Sequence, residues 1–290
     1  MPELPEVETV RLGLAPHMEG RRFARVTIRN RNLRKPLPRG FAKALEGACV
    51  SRLERRGKYL LVCLEGGRTL LVHLGMSGRV AVHEGRAPKA EKHDHVIFEM
   101  AGPDKEKGKA GKGATIVYND VRRFGLMDLI KEGERDTHPL LSQMGPEPLS
   151  KGFNPKVLAE ALAGKRVSIK AALMDQRLVA GLGNIYVSEA LFGAGISPKR
   201  QAGTVGGKRA DALVPVIKSV LRAAIAAGGS TLKDHRQADG SLGYFQHNFA
   251  VYGRAGEACP GCTCDRAKTG GIARITQQGR STFYCTRRQR

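Results

Sequence analysis

The chain begins Met1-Pro2-Glu3-Leu4-Pro5-Glu6-Val7-Glu8-Thr9, its most informative stretch. Once Met1 is removed, Pro2 presents a free secondary amine, which can attack a sugar C1′ and form a cationic imine directly. An α-amino group has a pKa of about 7.7–8.0, so much of it is uncharged near neutrality. The adjacent Glu3 is suited to proton transfer in such a reaction. Taken alone, these residues favour a plainer interpretation, a proline-punctuated lead-in to a helix, and the rest of the chain must decide between the two.

The composition indicates a polyanionic partner. The chain has 290 residues, enough for one large domain or two ordinary ones. Lys and Arg exceed Asp and Glu by 49 − 27 = 22. A surplus of this size suits phosphate contacts, which gain free energy from counterion release. No apolar run approaches the ~20 residues that a membrane span needs, and no secretory signal is recognisable. We expect a cytoplasmic nucleic-acid-binding protein and no membrane partner.

The first half of the chain has the pattern of an antiparallel β structure behind one helix. Apolar residues recur at helical spacing over residues 5–14. From about residue 22 to 131, short strand-like runs alternate with turn residues, which predicts a sandwich or barrel. The runs are Phe23–Arg29, Cys49–Glu54, Tyr59–Leu64, Thr69–Leu74, Arg79–His83, His95–Met100, Thr115–Tyr118 and Leu126–Leu129. The Gly- and Lys-rich residues 102–114 predict a solvated hairpin loop.

The second half has helical patterning, followed by a short β-hairpin. Prolines and glycines over residues 133–154 indicate a linker. The predicted helices cover residues 155–163, 168–176, 184–194 and 207–227, and the last stops at Gly228-Gly229. The final β-type runs are Ile272–Thr276 and Ser281–Tyr284. We therefore divide the chain into a domain over 1–132, a linker over 133–154, a helical domain over 155–250 and a hairpin module over 251–290.

The six cysteines fall into two groups. Cys49 and Cys63 lie in apolar, strand-like stretches and are predicted to be inert core residues. The remaining four cluster near the C-terminus: Cys259, Cys262, Cys264 and Cys285. In a cytosolic chain, such a cluster indicates a metal site before it indicates disulfides.

Several sequence blocks, in order and over nearly the whole chain, resemble those of the bacterial formamidopyrimidine-DNA glycosylase family, which removes 8-oxoguanine and ring-opened purines. Besides the N-terminal stretch, the blocks are Gly57-Lys58-Tyr59-Leu60, His73-Leu74-Gly75-Met76-Ser77-Gly78, Lys92-His93-Asp94-His95, Arg122-Arg123-Phe124-Gly125, Gly181-Leu182-Gly183-Asn184-Ile185-Tyr186 and Gly279-Arg280-Ser281-Thr282-Phe283-Tyr284-Cys285. The resemblance implies an α+β multidomain fold. An N-terminal helix and antiparallel β-sandwich would precede a helix–two-turn–helix domain that ends in a zinc-finger-type β-hairpin.

The resemblance also implies catalytic residues. Pro2 would be the nucleophile and Glu3 the proton-transfer group, while Lys58 would assist base removal and β-elimination. Arg280 would bind phosphates flanking the lesion and take part in δ-elimination. From the residues alone, Lys58 could equally be a phosphate-binding lysine at a strand edge, and Glu6 a first-turn helix carboxylate with no further role.

Six further residues match DNA-contacting positions of the family. Met76, Arg122 and Phe124 correspond to the triplet that fills the void left by the extruded nucleotide, with Arg122 facing the orphaned cytosine. Without the resemblance, Met76 and Phe124 would be assigned to the core and Arg122 to an ion pair. The other three are His93, Lys165 and Asn184. Each has a plainer alternative, either a solvated polar residue or, for Asn184, a helix N-cap.

The lesion-binding region and the finger distinguish this chain within the family. Residues 229–245 resemble the family's lesion-capping loop and favour oxidised purines over the pyrimidine substrates of endonuclease VIII-like enzymes. In the finger, Arg288 stands where the family has its fourth cysteine. We expect one structural Zn²⁺ on Cys259, Cys262 and Cys285, with Cys264 recruited as the fourth ligand. The alternative is a metal-free hairpin.

The sequence therefore predicts a monomeric, bifunctional DNA glycosylase and abasic-site lyase acting on damaged double-stranded DNA in the bacterial cytoplasm, associated with the nucleoid. Two other functions stay open at this point. One is a glycosylase for oxidised pyrimidines, and the other is a damaged-DNA-binding protein that no longer cleaves.

Overall fold

The computed structural model describes residues 1–102, 113–231, 238 and 240–290. The chain forms two compact units, Met1–Ser142 with Ala227–Tyr244, and Gln143–Ala226 with Phe245–Arg290. The first boundary falls inside the predicted linker. The lysine-rich part of the predicted hairpin loop lies outside the described residues, and so do residues 232–237 and 239 of the predicted lesion-capping loop.

The first unit contains two four-stranded antiparallel sheets and an N-terminal helix, α1 (Leu4–Met18). The strand orders are β1-β6-β7-β5 and β2-β3-β4-β8. The strands are β1 (Phe23–Ile28), β2 (Val50–Arg56), β3 (Tyr59–Leu64), β4 (Thr69–His73), β5 (Gly78–Glu84), β6 (Asp94–Met100), β7 (Ala114–Asp120) and β8 (Leu126–Ile130). Apolar residues of both sheets and of α1 share one core, which confirms the predicted β-sandwich with its helix.

One short helix in this unit, α2 (Phe41–Leu45), was not predicted. Five residues are too few for helical periodicity to be visible in a sequence. The helix forms because Phe41 and Leu45 are both buried in the core, so tertiary packing rather than local propensity decides it.

Residues 227–244 group with the sandwich, although we had assigned them to the helical domain. Gly228 and Gly229 have φ values of +75° and +78°, a backbone conformation that ends a helix. The Val82 N–H then donates to the Ala238 carbonyl at 2.8 Å. A Cβ on Gly13 of α1 would lie 2.9 Å from the Ala238 Cβ. Such long-range contacts leave no local pattern in the sequence.

The second unit is helical and ends in a hairpin. Its helices are α3 (Pro155–Leu162), α4 (Ile169–Met174), α5 (Asn184–Gly193), α6 (Lys208–Ala226) and α7 (Arg266–Thr269), with short 3₁₀ helices at Ala202–Thr204 and Phe245–Asn248. The side chains of Asn154 and Ser168 accept backbone N–H groups at the starts of α3 and α4. Strands β9 (Ala273–Gln277) and β10 (Arg280–Tyr284) form the predicted hairpin. Across the described part of the chain, no helix has the length and apolarity required to span a membrane.

Candidate active site and nucleic-acid interface

The N-terminal residues are held in place at the start of α1. Pro2 and Glu3 are both buried, and the Glu3 N–H donates to Glu6 Oε2 at 2.9 Å. The other Glu6 oxygen accepts from Ser230, from N–H and hydroxyl, each at 2.9 Å. Glu6 therefore joins the start of the helix to the segment that follows Gly229. This contact was not predicted, because a carboxylate in a first helical turn needs no such partner.

Lys58 lies in the tight turn between β2 and β3 and is only 7% exposed. Gly57 makes the turn possible because its φ is +56°. An ion pair between Arg55 Nε and Glu8 Oε2, at 2.9 Å, ties this hairpin to α1. Burial raises the pKa of Glu8, but Arg11 and Arg55 outweigh it and hold that pKa below its ordinary value. The carboxylate is thus charged near neutrality and fixes helix and hairpin together.

His73, the last residue of β4, lies within electrostatic reach of the cationic groups of this corner. Burial, followed by the positive charges of Lys58, Arg34 and the N-terminus, lowers the pKa of His73 to about 4. The neutral ring accepts the Gly75 N–H at Nδ1, at 3.1 Å. The charges of the chain terminus and of Lys58 therefore both reach His73, which places them in the same region of the first unit.

The three residues predicted to fill the DNA void lie together on two adjoining turns. Met76 and Phe124 are 43% and 44% exposed, so they are not core residues. The guanidinium of Arg122 stacks on the Phe124 ring, 4.6 Å from its centroid. The two turns touch through their backbones, since a Cβ on Gly75 would lie 2.4 Å from the Phe124 carbonyl carbon. Exposed apolar side chains beside a stacked cation are a combination suited to nucleotide bases.

His93 lies just before β6 and is half-buried, with its ring 6.3 Å from that of His95. Its carbonyl accepts the Asp120 N–H at 3.0 Å. The predicted DNA-contacting residue His93 is thus joined through the backbone to the strand that leads into the Arg122 turn.

In the second unit, Arg280 occupies the first position of β10, directly after the hairpin turn. Both turn residues have positive φ, +50° for Gln278 and +71° for Gly279, the conformation of a tight two-residue hairpin. An open concavity of about 450 Å³ beside the turn is lined by basic side chains. They include the two predicted residues Lys165 and Arg280, together with Arg166 and Arg177.

Asn184 begins α5, but it is not the N-cap; Gly183 is. The Asn184 side chain donates to the Ser281 carbonyl at 3.0 Å and to the Tyr252 hydroxyl at 3.3 Å. Its Oδ1 is buried and has no hydrogen-bond partner among the described residues. Asn184 therefore braces the strand that carries Arg280.

Two buried charged residues that the sequence did not reveal support this hairpin. Lys170 is 1% exposed, and its ammonium donates to the Ser281 carbonyl at 3.1 Å and to Thr282 Oγ1 at 2.5 Å. Glu189 of α5 accepts N–H groups of three consecutive residues, Ala250–Tyr252, at 2.8–3.0 Å. Neither residue stands in a recognisable motif, so only their burial identifies them.

The four C-terminal cysteines meet in the fold. Their sulfur atoms lie within 4.8 Å of one another, and none forms a disulfide. The distances from Cys285 Sγ to Cys262 Sγ and Cys264 Sγ are 3.6 and 4.0 Å, close to the edge of about 3.8 Å that Zn–S bonds of about 2.3 Å give in a tetrahedron. Cys262 and Cys264 lie closer, at 2.7 Å, and would move apart around an ion. The Cys264 sulfur lowers the pKa of the Cys262 thiol to about 7, whereas burial raises the pKa of the Cys259 thiol.

Two local features accommodate the unusual cysteine spacing. Asp265 caps α7 by accepting the Ala267 N–H, so a helical turn that was not predicted takes up part of the long connection after Cys264. Arg288, at the position where the resemblance implies a cysteine, donates to the Gly261 carbonyl at 2.9 Å and stacks on Phe192. Its backbone N–H points to Cys285 Sγ at 3.4 Å. The arginine thus fixes the Cys259–Cys262 turn from outside, leaving the four sulfurs grouped.

Comparisons with known proteins agree with this geometry. The family description "Formamidopyrimidine-DNA glycosylase N-terminal domain" matches residues 1–127, and the H2TH domain of the same enzymes matches residues 144–236. Formamidopyrimidine-DNA glycosylases of Rhodospirillum centenum and Ruegeria pomeroyi are 58% and 54% identical, over the full length of both chains in each case. The chain belongs to the formamidopyrimidine-DNA glycosylase family.

Solved structures of the formamidopyrimidine-DNA glycosylase family share the whole fold. The MutM (Fpg) protein of Thermus thermophilus is 37% identical with a TM-score of 0.83, covering 99% of this chain and 98% of its own. Lactococcus lactis Fpg, in complex with DNA containing an abasic site, is 34% identical with a TM-score of 0.85, and 99% of each chain is covered. The predicted family and fold class are therefore confirmed.

The depressed pKa of His73 predicts a pH dependence of stability. Between pH 6.5 and about 4, only the unfolded state of His73 binds a proton, so the free energy of unfolding falls as the pH falls through this window. Asn at this position can still accept the Gly75 N–H and does not titrate. We expect urea denaturation to show that His73→Asn loses roughly 2 kcal/mol less than the unmodified protein between pH 7 and pH 4.5. Parallel curves for the two proteins would show that His73 is not buried as a neutral base.

Proposed function

We propose that this chain is a DNA glycosylase of base excision repair with abasic-site lyase activity, acting on oxidised purines in duplex DNA. The observation that supports the proposal is the burial of Pro2, Glu3 and Lys58 in the first unit, where the positive charges of Lys58 and the N-terminus both act on His73. The relatives from Rhodospirillum centenum and Rhodospirillum rubrum, which match over the full length of both chains, are named formamidopyrimidine-DNA glycosylase. Structures of Lactococcus lactis Fpg with an abasic site and with a Fapy-dG lesion give the substrate class.

The chemistry starts at the nitrogen of Pro2, after Met1 has been removed. Its lone pair forms a bond to the sugar C1′ while the glycosidic bond breaks, and the electron pair of that bond leaves with the base. The nitrogen loses its own proton after it has bonded to C1′. Glu3 and Lys58 transfer the protons: from this nitrogen, to the departing base, and to the sugar ring oxygen as the ring opens to the iminium ion.

Strand cleavage follows from the iminium ion, which acts as an electron sink. Loss of a C2′ proton lets the C3′–O bond break with departure of the 3′ phosphate, and a second elimination breaks the C5′–O bond. Lys58 is the base suited to the first elimination. Arg280, on the exposed edge of its hairpin, binds the flanking phosphates and assists the second. The product is a one-nucleotide gap with phosphate at both ends.

The DNA contacts are divided between the units. Met76, Arg122 and Phe124 replace the extruded nucleotide in the stack, with the Arg122 donors directed at the orphaned cytosine. His93 contacts the backbone from the first unit. Lys165, Asn184 and Arg280 do so from the second, in the basic concavity and at the start of α5. The formal charge of +22 makes this binding strongly dependent on salt.

A structural Zn²⁺ fits the cysteine cluster. Cys259, Cys262, Cys264 and Cys285 offer four sulfur donors in an apolar setting, the donor set that zinc prefers. Bound there, the ion would cross-link the Cys259–Cys262 turn to β10 and so fix the hairpin that carries Arg280. Cys264 takes the place of the cysteine that Arg288 has replaced.

The Schiff-base chemistry predicts covalent trapping that depends on processing. Borohydride reduces an iminium ion to a stable amine, so we expect a cross-link to DNA containing 8-oxoguanine, mapped to Pro2 by mass spectrometry. The matched control is the same protein with Met1 retained, before and after treatment with methionine aminopeptidase. Only the treated protein should cross-link, because an amide nitrogen is not a nucleophile. Equal trapping by both forms would contradict a role for Pro2.

The zinc assignment predicts the outcome of a ligand exchange. Cys264→Ser should lower the zinc content from about one to well below one per chain and reduce the thermal stability of the second unit. Cys264→Ser combined with Arg288→Cys should recover the metal, since the latter restores the family's fourth ligand position. Metal analysis by mass spectrometry provides the readout. Full zinc content in Cys264→Ser alone would show that Cys264 is not a ligand.

A further inference from the structure

Asp120, the last residue of β7, is a fully buried carboxylate beside the two turns that carry Met76, Arg122 and Phe124. Its exposure is 0%. Oδ1 accepts the Ser77 hydroxyl at 2.6 Å, and Oδ2 accepts the Gly125 N–H at 2.8 Å. Ser77 lies in the first turn and Gly125 in the second. One carboxylate therefore binds both turns at once.

The network continues from these first partners into the backbone of the second turn. Ser77 Oγ accepts the Arg122 N–H at 3.0 Å, so a residue of the first turn holds the backbone of the second directly. The Asp120 carbonyl accepts the Arg123 N–H at 3.3 Å. Arg123 has a φ of +56°, an uncommon conformation for a residue with a side chain. The hydrogen bonds around Asp120 hold it there.

Tyr118 adds a third donor to the Asp120 carboxylate. Its hydroxyl donates to Oδ2 at 3.0 Å. Burial and then the negative charge of Asp120 raise the pKa of Tyr118 far above its ordinary value, so the hydroxyl stays protonated and keeps donating. No cationic side chain of the described residues lies within ion-pair distance of Asp120. The carboxylate is balanced by hydrogen bonds alone, an arrangement that costs more than apolar packing and therefore indicates a requirement for fixed geometry.

The two turns are packed closely around the Asp120 network. A Cβ on Gly125 would lie 1.7 Å from the Tyr118 hydroxyl, and one on Gly78 would lie 2.8 Å from the same atom. The Gly75 position is equally tight against Phe124. Packing this close transmits a displacement of one turn to the other.

We infer that Asp120 is the positioning residue that makes Met76, Arg122 and Phe124 a single rigid wedge. The inference rests on the proposed function, in which these three side chains fill the void in the duplex. A rigid wedge enters the duplex as one unit when the nucleotide leaves. The three side chains therefore fill the void together, and no part of it stays open to water while one of them is still disordered. Asp120 touches neither DNA nor the reacting atoms in this account.

The test separates filling of the void from the chemistry. Asp120→Asn keeps the size of the side chain but replaces one of the two carboxylate oxygens by an NH₂ group. One oxygen then remains to accept the three donors, which are Ser77, Tyr118 and Gly125. For 8-oxoguanine paired with cytosine in a duplex, we expect kcat/KM to fall about tenfold or more. On a single-stranded abasic oligonucleotide, where no void has to be filled, lyase activity should stay within about twofold of the unmodified protein, since Asp120 makes no hydrogen bond to Pro2, Glu3 or Lys58. Stopped-flow fluorescence of a cytosine analogue opposite the lesion should show slower wedge insertion.

Two further variants sharpen the result. Ser77→Ala should reproduce the duplex defect, and Ser77→Thr, which keeps the hydroxyl, should restore activity. Asp94→Asn removes another buried carboxylate, which bonds to Asn119 and Glu91 instead, and should leave the ratio of duplex to single-strand activity unchanged. An unchanged ratio in Asp120→Asn would overturn the inference, whether both activities persist or both are lost. Inactivity of the unmodified protein on both substrates would instead refute the proposed function.

Discussion

The proposed chemistry depends on a chain terminus that is held in a fixed position, although chain termini are usually poorly ordered. Here the constraint is met by α1, whose Val7, Val10 and Leu14 are buried in the sandwich core directly after the reactive residue. Glu6 then fixes the first turn to Ser230. Because α1 is anchored along its length, the residues that precede it are also restricted in their motion. The packing of α1 into the hydrophobic core therefore helps to fix the position of the N-terminal residues.

Buried polar groups carry out the finer placement in both units. Asp120 joins two turns in the sandwich, and Lys170 holds the strand that follows Arg280. In each case backbone or hydroxyl groups hydrogen-bond to the buried charged side chain. Displacement of one partner costs free energy, because it leaves a desolvated charge without its hydrogen bond. That sensitivity makes these residues effective at holding exposed DNA-contacting side chains in a fixed geometry.

The sequence predicted the elements whose signals are local. Alternating strands, the start of α5 at Asn184 and the tight hairpin before Arg280 all follow from periodicity and turn chemistry. What it did not predict depends on distant partners: the five-residue α2, and the return of residues 227–244 to the sandwich. The resemblance predicted the exposure of Met76 and Phe124, and so did the glycine-flanked turns in which they lie, although both residue types are usually buried. The hydrogen bonds of Asp120 have no sequence signature at all.

The finger shows why one departure from a family motif is tolerable. Tetrahedral zinc constrains the positions of four donors in space but not their order along the chain. Replacing the last cysteine by Arg288 removes a donor, and Cys264 supplies a sulfur at a distance of 4.0 Å from Cys285. The replacement of a cysteine by an arginine also requires space and hydrogen-bond partners for the larger, charged side chain. Arg288 donates to the Gly261 carbonyl and stacks on the Phe192 ring, so it stabilises the Cys259–Cys262 turn by contacts outside the sulfur cluster. Two compensations, one chemical and one steric, therefore preserve the hairpin on which Arg280 is presented.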